Sequence, residues 1–173
     1  MTNISQSKIN QTLGLIRKSE SIEEQRYAMK LLMTNILEKI PGVSVTEGIG
    51  SNKSNENEIK IVCWNEQHID GLYFFSSILA VGAINWLDPV RSDHIKWFVG
   101  NMKKMGLSCG ILFGVDNLTE NEVEREDTRK LISLALSDER EVVILDGSDL
   151  EKLTSSKQLV SLIKEKLCEL AVA

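Results

Sequence analysis

The sequence predicts an α/β fold with a mixed central sheet flanked by helices on both faces. Three observations lead to it. Apolar residues recur at helical spacing at both ends of the chain and in its middle. Short β-rich runs lie between these segments. The elements follow the order α-β-β-β-α-β-α-β-α, so three strands run together before a helix crosses over to the next. A fold that alternated strand and helix from the start would carry a glycine-rich turn after its first strand. Gly48-Ile49-Gly50 is too short for that turn and opens no helix.

Taken in order, Ile9, Leu13 and Ile16 give residues 4–18 one apolar stripe, which predicts a short amphipathic helix. Ser21-Ile22-Glu23-Glu24 reads as a capping box, and Ile22, Met29, Leu32, Met33, Ile36 and Ile40 continue on one face until Pro41-Gly42 ends the second helix. Val43 to Thr46 alternates as a strand, GIGSNKSNEN is a polar loop, and Ile59 to Trp64 is a second strand. The third lies within Tyr73 to Ile84, apolar enough to be central. Asp88-Pro89 opens a helix carrying Ile95, Phe98, Val99 and Met102, closed by Gly106. Then follow a strand at Cys109 to Val115, a helix at Leu118 to Ser137 with an acidic start, and a strand at Glu141 to Asp146. A short helix at Asp149 to Thr154 precedes a last amphipathic helix marked by Leu159, Leu162, Ile163, Leu167 and Leu170.

The length of 173 residues favours one domain, and 42% hydrophobic residues suffice for a core. Residues 1–20 read as a helical extension and 21–173 as the core. The net charge of −5 argues against a protein that coats nucleic acid indiscriminately, though not against a local basic face. Cys63, Cys109 and Cys168 form no C-x-x-C pair and show no zinc-ligand spacing with His68 and His94, so three buried thiols in a reducing, cytoplasmic setting are expected rather than a zinc site or a disulfide framework. MTNISQSKIN has no apolar core for a signal peptide, and no apolar run is long enough to span a membrane. Walker A, G-x-S-x-G and H-E-x-x-H motifs are absent.

Several local words then carry a resemblance. Ile40-Pro41-Gly42-Val43 follows the first core helix. Asn85-Trp86 is followed by Pro89-Val90 and by Trp97-Phe98-Val99-Gly100. Gly110-Ile111-Leu112-Phe113 and Asp149-Leu150-Glu151 with Leu159-Val160 complete the set. In this order the chain resembles, over roughly residues 22–170, the restriction-endonuclease-like PD-(D/E)XK superfamily and its Mrr-type bacterial members. The resemblance implies an αβββαβ core with extra N-terminal and C-terminal helices. It also implies Mg²⁺-dependent phosphodiester hydrolysis by an Asp on the second strand and Glu-x-Lys on the third.

Those positions depart from the pattern. The family's I-D-I-V aligns with Ile59-Lys60-Ile61-Val62, which puts Lys60 at the metal Asp. Its V-E-x-K-N-W aligns with Val81-Gly82-Ala83-Ile84-Asn85-Trp86, which puts Gly82 at the Glu and Ile84 at the Lys. Neither glycine nor isoleucine ligates Mg²⁺, and a lysine repels it. The expectation is a degenerate nuclease fold, a pseudoenzyme without cofactor. Glu58, Asp70 and Asp88, with Glu56, are candidate substitute carboxylates if cleavage with Mg²⁺ survives by migration.

Two roles remain for such a fold. Lys53, Lys60, Arg91, Lys96, Lys103 and Lys104 are candidates for DNA or other nucleic-acid binding, since basic residues that track a backbone serve that purpose. Residues 116–151 hold twelve acidic and four basic residues and could instead meet a basic protein partner. Trp64, Trp86 and Trp97 sit among periodic apolar neighbours and are expected in the core rather than as base platforms. By resemblance a homodimer is expected, in DNA restriction, phage defence or DNA metabolism.

Overall fold

The computed structural model describes residues 2–46, 59–84, 89–114 and 121–172, with backbone alone at Ile59 and Lys60. Five strands form one mixed sheet in the order β1-β2-β3-β4-β5: β1 Val43–Thr46, β2 Ile59–Asn65, β3 Ile78–Ala83, β4 Cys109–Phe113 and β5 Glu141–Leu145. β1, β2 and β3 pair antiparallel; β3, β4 and β5 pair parallel. The helices are α1 Gln6–Lys18, α2 Ile22–Leu37, α3 Ser92–Met105, α4 Glu122–Ser137, α5 Gly147–Glu151 and α6 Ser156–Ala171. A mixed sheet flanked by helices is therefore the architecture.

Period-two alternation divides the core into two layers. Cys63, Leu79, Val81, Ile111, Phe113, Val143 and Leu145 point to one face, where they pack with Leu13, Met33, Leu150 and Leu159 from α1, α2, α5 and α6. Ala80, Leu112, Val142 and Ile144 point to the other and pack with Phe98, Met102, Ile132 and Ala135 from α3 and α4. The parallel strands are covered on both sides, which is why their sequences are continuously apolar.

Helix ends follow local chemistry. Ser5, Ser21, Asn121 and Ser155 each accept a backbone N–H in the first turn of the helix they precede. α1 starts at Gln6 rather than Ile4, because Asn3 bridges Ser155 and the Ile4 N–H donates to the Thr154 carbonyl. Only half of the capping box expected on α2 forms: Ser21 accepts from the Glu24 N–H, but the Glu24 carboxylate accepts from the Ser19 hydroxyl at 2.9 Å instead of reaching back. Gly106 closes α3 in the left-handed conformation (φ +67°).

The connection between β2 and β3 is held by a buried polar hub. Asn65 is fully buried; its amide donates to the carbonyls of Leu72 (2.8 Å) and Ser76 (3.1 Å), and its oxygen accepts from the Gln67 N–H. Gly71 lies so close to the Pro41 carbonyl that a Cβ there would collide with its oxygen. These contacts pin the far end of the β2–β3 hairpin to the turn that precedes β1.

Candidate nucleic-acid interface

Lys60, Gly82 and Ile84 do converge. Lys60 of β2 is the register partner of Gly82 of β3, and Ile84 follows two residues on, its N–H donating to the Phe113 carbonyl at 3.3 Å. What surrounds them is core. A Cβ built on Gly82 would meet the Phe98 ring at 2.8 and 2.9 Å and Leu112 Cδ1 at 3.2 Å. A Cβ on Gly110, in the next strand, would meet the same ring at 2.8 Å. Two glycines on adjacent strands thus leave a hollow in the sheet, and Phe98 from the middle of α3 fills it. Ile84 is fully buried in the same layer as Val90 and Ile95. Gly82 provides the space that Phe98 occupies. That relation is invisible in sequence, because Gly82, Phe98 and Gly110 are distant in the chain.

Of the substitute carboxylates, only Asp70 lies within the described residues; Glu56, Glu58 and Asp88 lie outside them, as does Lys53. Asp70 sits in the β2–β3 connection, exposed, its N–H donating to His68 Nδ1. That connection leaves β2 at Asn65, the opposite end from Lys60, and five residues of strand span about 17 Å. Asp70 is therefore not brought to Lys60, Gly82 and Ile84. Among the described residues, no group of three His, Cys, Asp or Glu side chains is placed to hold a metal ion.

The basic residues of α3 divide between two sides of the helix. Lys96 and Lys103 turn toward α4, where Lys103 Nζ lies 3.1 Å from Asp138. The opposite flank carries His94, Trp97, Asn101 and Met105, with Lys104 at its upper edge. Arg91 precedes the helix and pairs loosely with Asp93 at 4.0 Å. The helix packs over β3 and β4, and α4 packs over β5, so this flank of α3 overlooks β2 and β1.

There the sheet is open. On the α3 side of the sheet, β1 presents Ser44 and Thr46, both exposed, and β2 presents Val62 and Trp64. Trp64 is 47% exposed and its register partner Ile78 is 41% exposed. Among the described residues, no helix covers this quarter of the sheet. The expectation that the tryptophans are core is thus corrected for Trp64: β2 alternation turns it away from the layer that buries Cys63, and α3 does not extend over it. Trp97 is half-buried at the edge of α3, 6.2 Å centroid to centroid from Phe98, and Trp86 lies outside the described residues.

Within its described part, residues 121–151, the acidic stretch 116–151 does not form one surface. Its part in α4 lies on the α3 side of the sheet, and its part in α5 lies on the other side, against α1. Several of its carboxylates have internal partners: Glu124 accepts from the Ser92 N–H and hydroxyl at 3.3 and 3.1 Å, Asp149 pairs with Lys166 at 2.8 Å, and Glu151 pairs with Arg17 at 3.0 Å. Burial raises the Glu141 carboxyl above its ordinary range.

The thiols also differ from expectation. Cys63 and Cys109 are buried, but Cys168 is exposed, because the inward stripe of α6 runs through Leu159, Val160 and Ile163 and leaves position 168 outside it. Burial pushes the Cys63 thiol up to about 12, with the nearby Glu38 charge adding to the shift, and burial raises Cys109. Neither is a nucleophile near neutral pH. No helix among the described residues is long and apolar enough to cross a membrane. No family model matches the chain, and no curated protein matches it.

Proposed function

We propose that this chain is a restriction-endonuclease-like fold that binds nucleic acid without cutting it, and that it does so on the uncovered antiparallel part of the sheet rather than at the former metal positions. The observation that carries the reading is the packing of Phe98 into the hollow at Gly82, beside an open strand pair that presents Trp64. An αβββαβ element order with a mixed sheet fits the family resemblance in the sequence. The chemistry that would define a member able to cleave has been replaced by apolar packing at two of three positions.

The binding chemistry follows from the groups on that surface. An indole lying on an open sheet offers a face on which a base can stack, worth about 1–3 kcal/mol per base and tolerant of sequence. Val62 and Ile78 extend the apolar floor, while the Ser44 and Thr46 hydroxyls flank it. Arg91 and Lys104 supply cations along the α3 side for phosphates, and each phosphate contact releases counterions. The acidic residues of α4 lie across α3, away from this floor.

The test is a fluorescence-anisotropy titration with labelled single-stranded and duplex DNA and RNA over a range of salt, without divalent metal. Expected are salt-dependent binding, weakened about tenfold by Trp64→Ala and further by Arg91→Glu with Lys104→Glu. Lys96→Glu with Lys103→Glu leaves the affinity far less changed. Retained affinity in Trp64→Ala, or cleavage of the probe when Mg²⁺ or Mn²⁺ is added, would overturn the reading.

A further inference from the structure

We propose that the groove between α3 and α4 is a self-complementary interface for a second copy of this chain. The groove encloses about 410 Å³ and has an apolar floor of Ile95, Val99, Leu131 and Ala135. Its two walls differ. The α3 wall carries Lys96 and Lys103, and at Gly100 a Cβ would find no atom within 4 Å, so the wall has a dent there. The α4 wall carries Asp127 and Asp138 on the helical face shared with Leu131, and between them Leu134 projects, 63% exposed.

Two contacts fix how the walls are aligned. Ser92 at the start of α3 bonds Glu124 near the start of α4, and Lys103 near the end of α3 pairs with Asp138 just past the end of α4. The helices therefore run parallel, and Gly100 stands level with Leu134. Lys96 falls within a turn of Asp127. A two-fold axis along the groove lays α3 of each copy over α4 of the other and keeps positions along the groove unchanged. Leu134 of one copy then meets Gly100 of its mate, the Lys96 walls meet the Asp127 walls, and Lys103 meets Asp138. Projection against dent and base against acid, both on one face, are what an isologous interface requires. A partner of a single charge sign would satisfy only one wall. This interface lies across α3 from Trp64, so dimerisation leaves the uncovered sheet free in both copies.

Sedimentation equilibrium of the whole chain tests this. The expected result is a wild-type dimer whose dissociation constant rises at least about tenfold in Leu134→Asp and in Gly100→Leu. Leucine is a better helix former than glycine, so Gly100→Leu keeps or raises the melting temperature of the monomer while filling the dent, which separates lost association from lost folding. Lys96→Glu and Asp127→Lys each weaken the dimer, and the two together restore it. A wild-type chain that stays monomeric at millimolar concentration, or a dimer indifferent to both Leu134→Asp and Gly100→Leu, would overturn the proposal.

Discussion

The two halves of the sheet are built on different principles. Across β3, β4 and β5 the strands are parallel and sandwiched, and their order depends on apolar fit on both faces. Across β1 and β2 the strands are antiparallel and, among the described residues, packed on one face only; their far end is secured by the polar hub at Asn65. Gly82 and Ile84 lie on or just beyond β3 in the first half, and the exposed Trp64 belongs to the second. In the first half the surface of β3 at Gly82 is filled by Phe98, and in the second the surface around Trp64 is left uncovered.

The sharpest way to break this contrast is to place a carboxylate at Gly82. Gly82→Glu is expected to leave the protein largely unfolded or to lower its stability by more than about 3 kcal/mol, since it forces Phe98 out and buries an unpaired charge. Gly82→Ala is expected to cost about 1–3 kcal/mol, and Phe98→Leu introduced with it to return part of that loss; denaturant titration of the single and double variants reads the coupling. Simple additivity would show that the hollow and the ring are not a fitted pair.

Next in size is Asn65→Ala. It removes the donors to the Leu72 and Ser76 carbonyls, and a loss of about 2–3 kcal/mol is expected in the same titration, with hydrogen exchange accelerated first in the β2–β3 connection.

How much of this was legible in sequence depends on the range of the interactions. The helices and strands were readable because 3.6-residue and two-residue periodicities are local: the α3 stripe through Ile95, Phe98 and Met102 and the α6 stripe through Leu159 and Ile163 are buried as expected. Lys60 and Gly82 are distant in sequence, and it is the antiparallel register of β2 with β3 that places them opposite one another. The filling of Gly82 by Phe98 was not readable, because it needs the pairing of β3 with β4 and the crossing of α3 over both. The exposure of Trp64 was also missed. An indole on a β-rich strand looks the same whether or not a helix covers it, and only the limited reach of α3 decides. The split of Lys96 and Lys103 from Lys104 was available from helical spacing, but which side faces the open sheet depends on where α4 packs.

A smaller effect probes the uncovered half. Trp64→Thr is expected to change stability by no more than about 0.5 kcal/mol, because the side chain is half exposed and threonine suits a strand. A cost comparable to that of Gly82→Ala would mean that Trp64 is structural after all.

The smallest effect is electrostatic. Burial raises the Glu141 carboxyl in the folded state, so the unfolded chain gives up that proton more readily. The group therefore opposes folding above its folded pKa, and the opposition fades as pH falls below the unfolded carboxylate range. Glu141→Gln is expected to raise the melting temperature slightly at neutral pH, with the gap closing in acid. A gap that widened in acid would have the wrong sign.

The most direct test of the central claim is the affinity of the wild type and of Trp64→Ala for a labelled single-stranded oligonucleotide in the absence of divalent metal. The account predicts salt-dependent binding by the wild type, a loss of about tenfold in the variant, and an unchanged melting temperature. Equal affinities for the two proteins, or binding by the wild type only when Mg²⁺ is present, would contradict it.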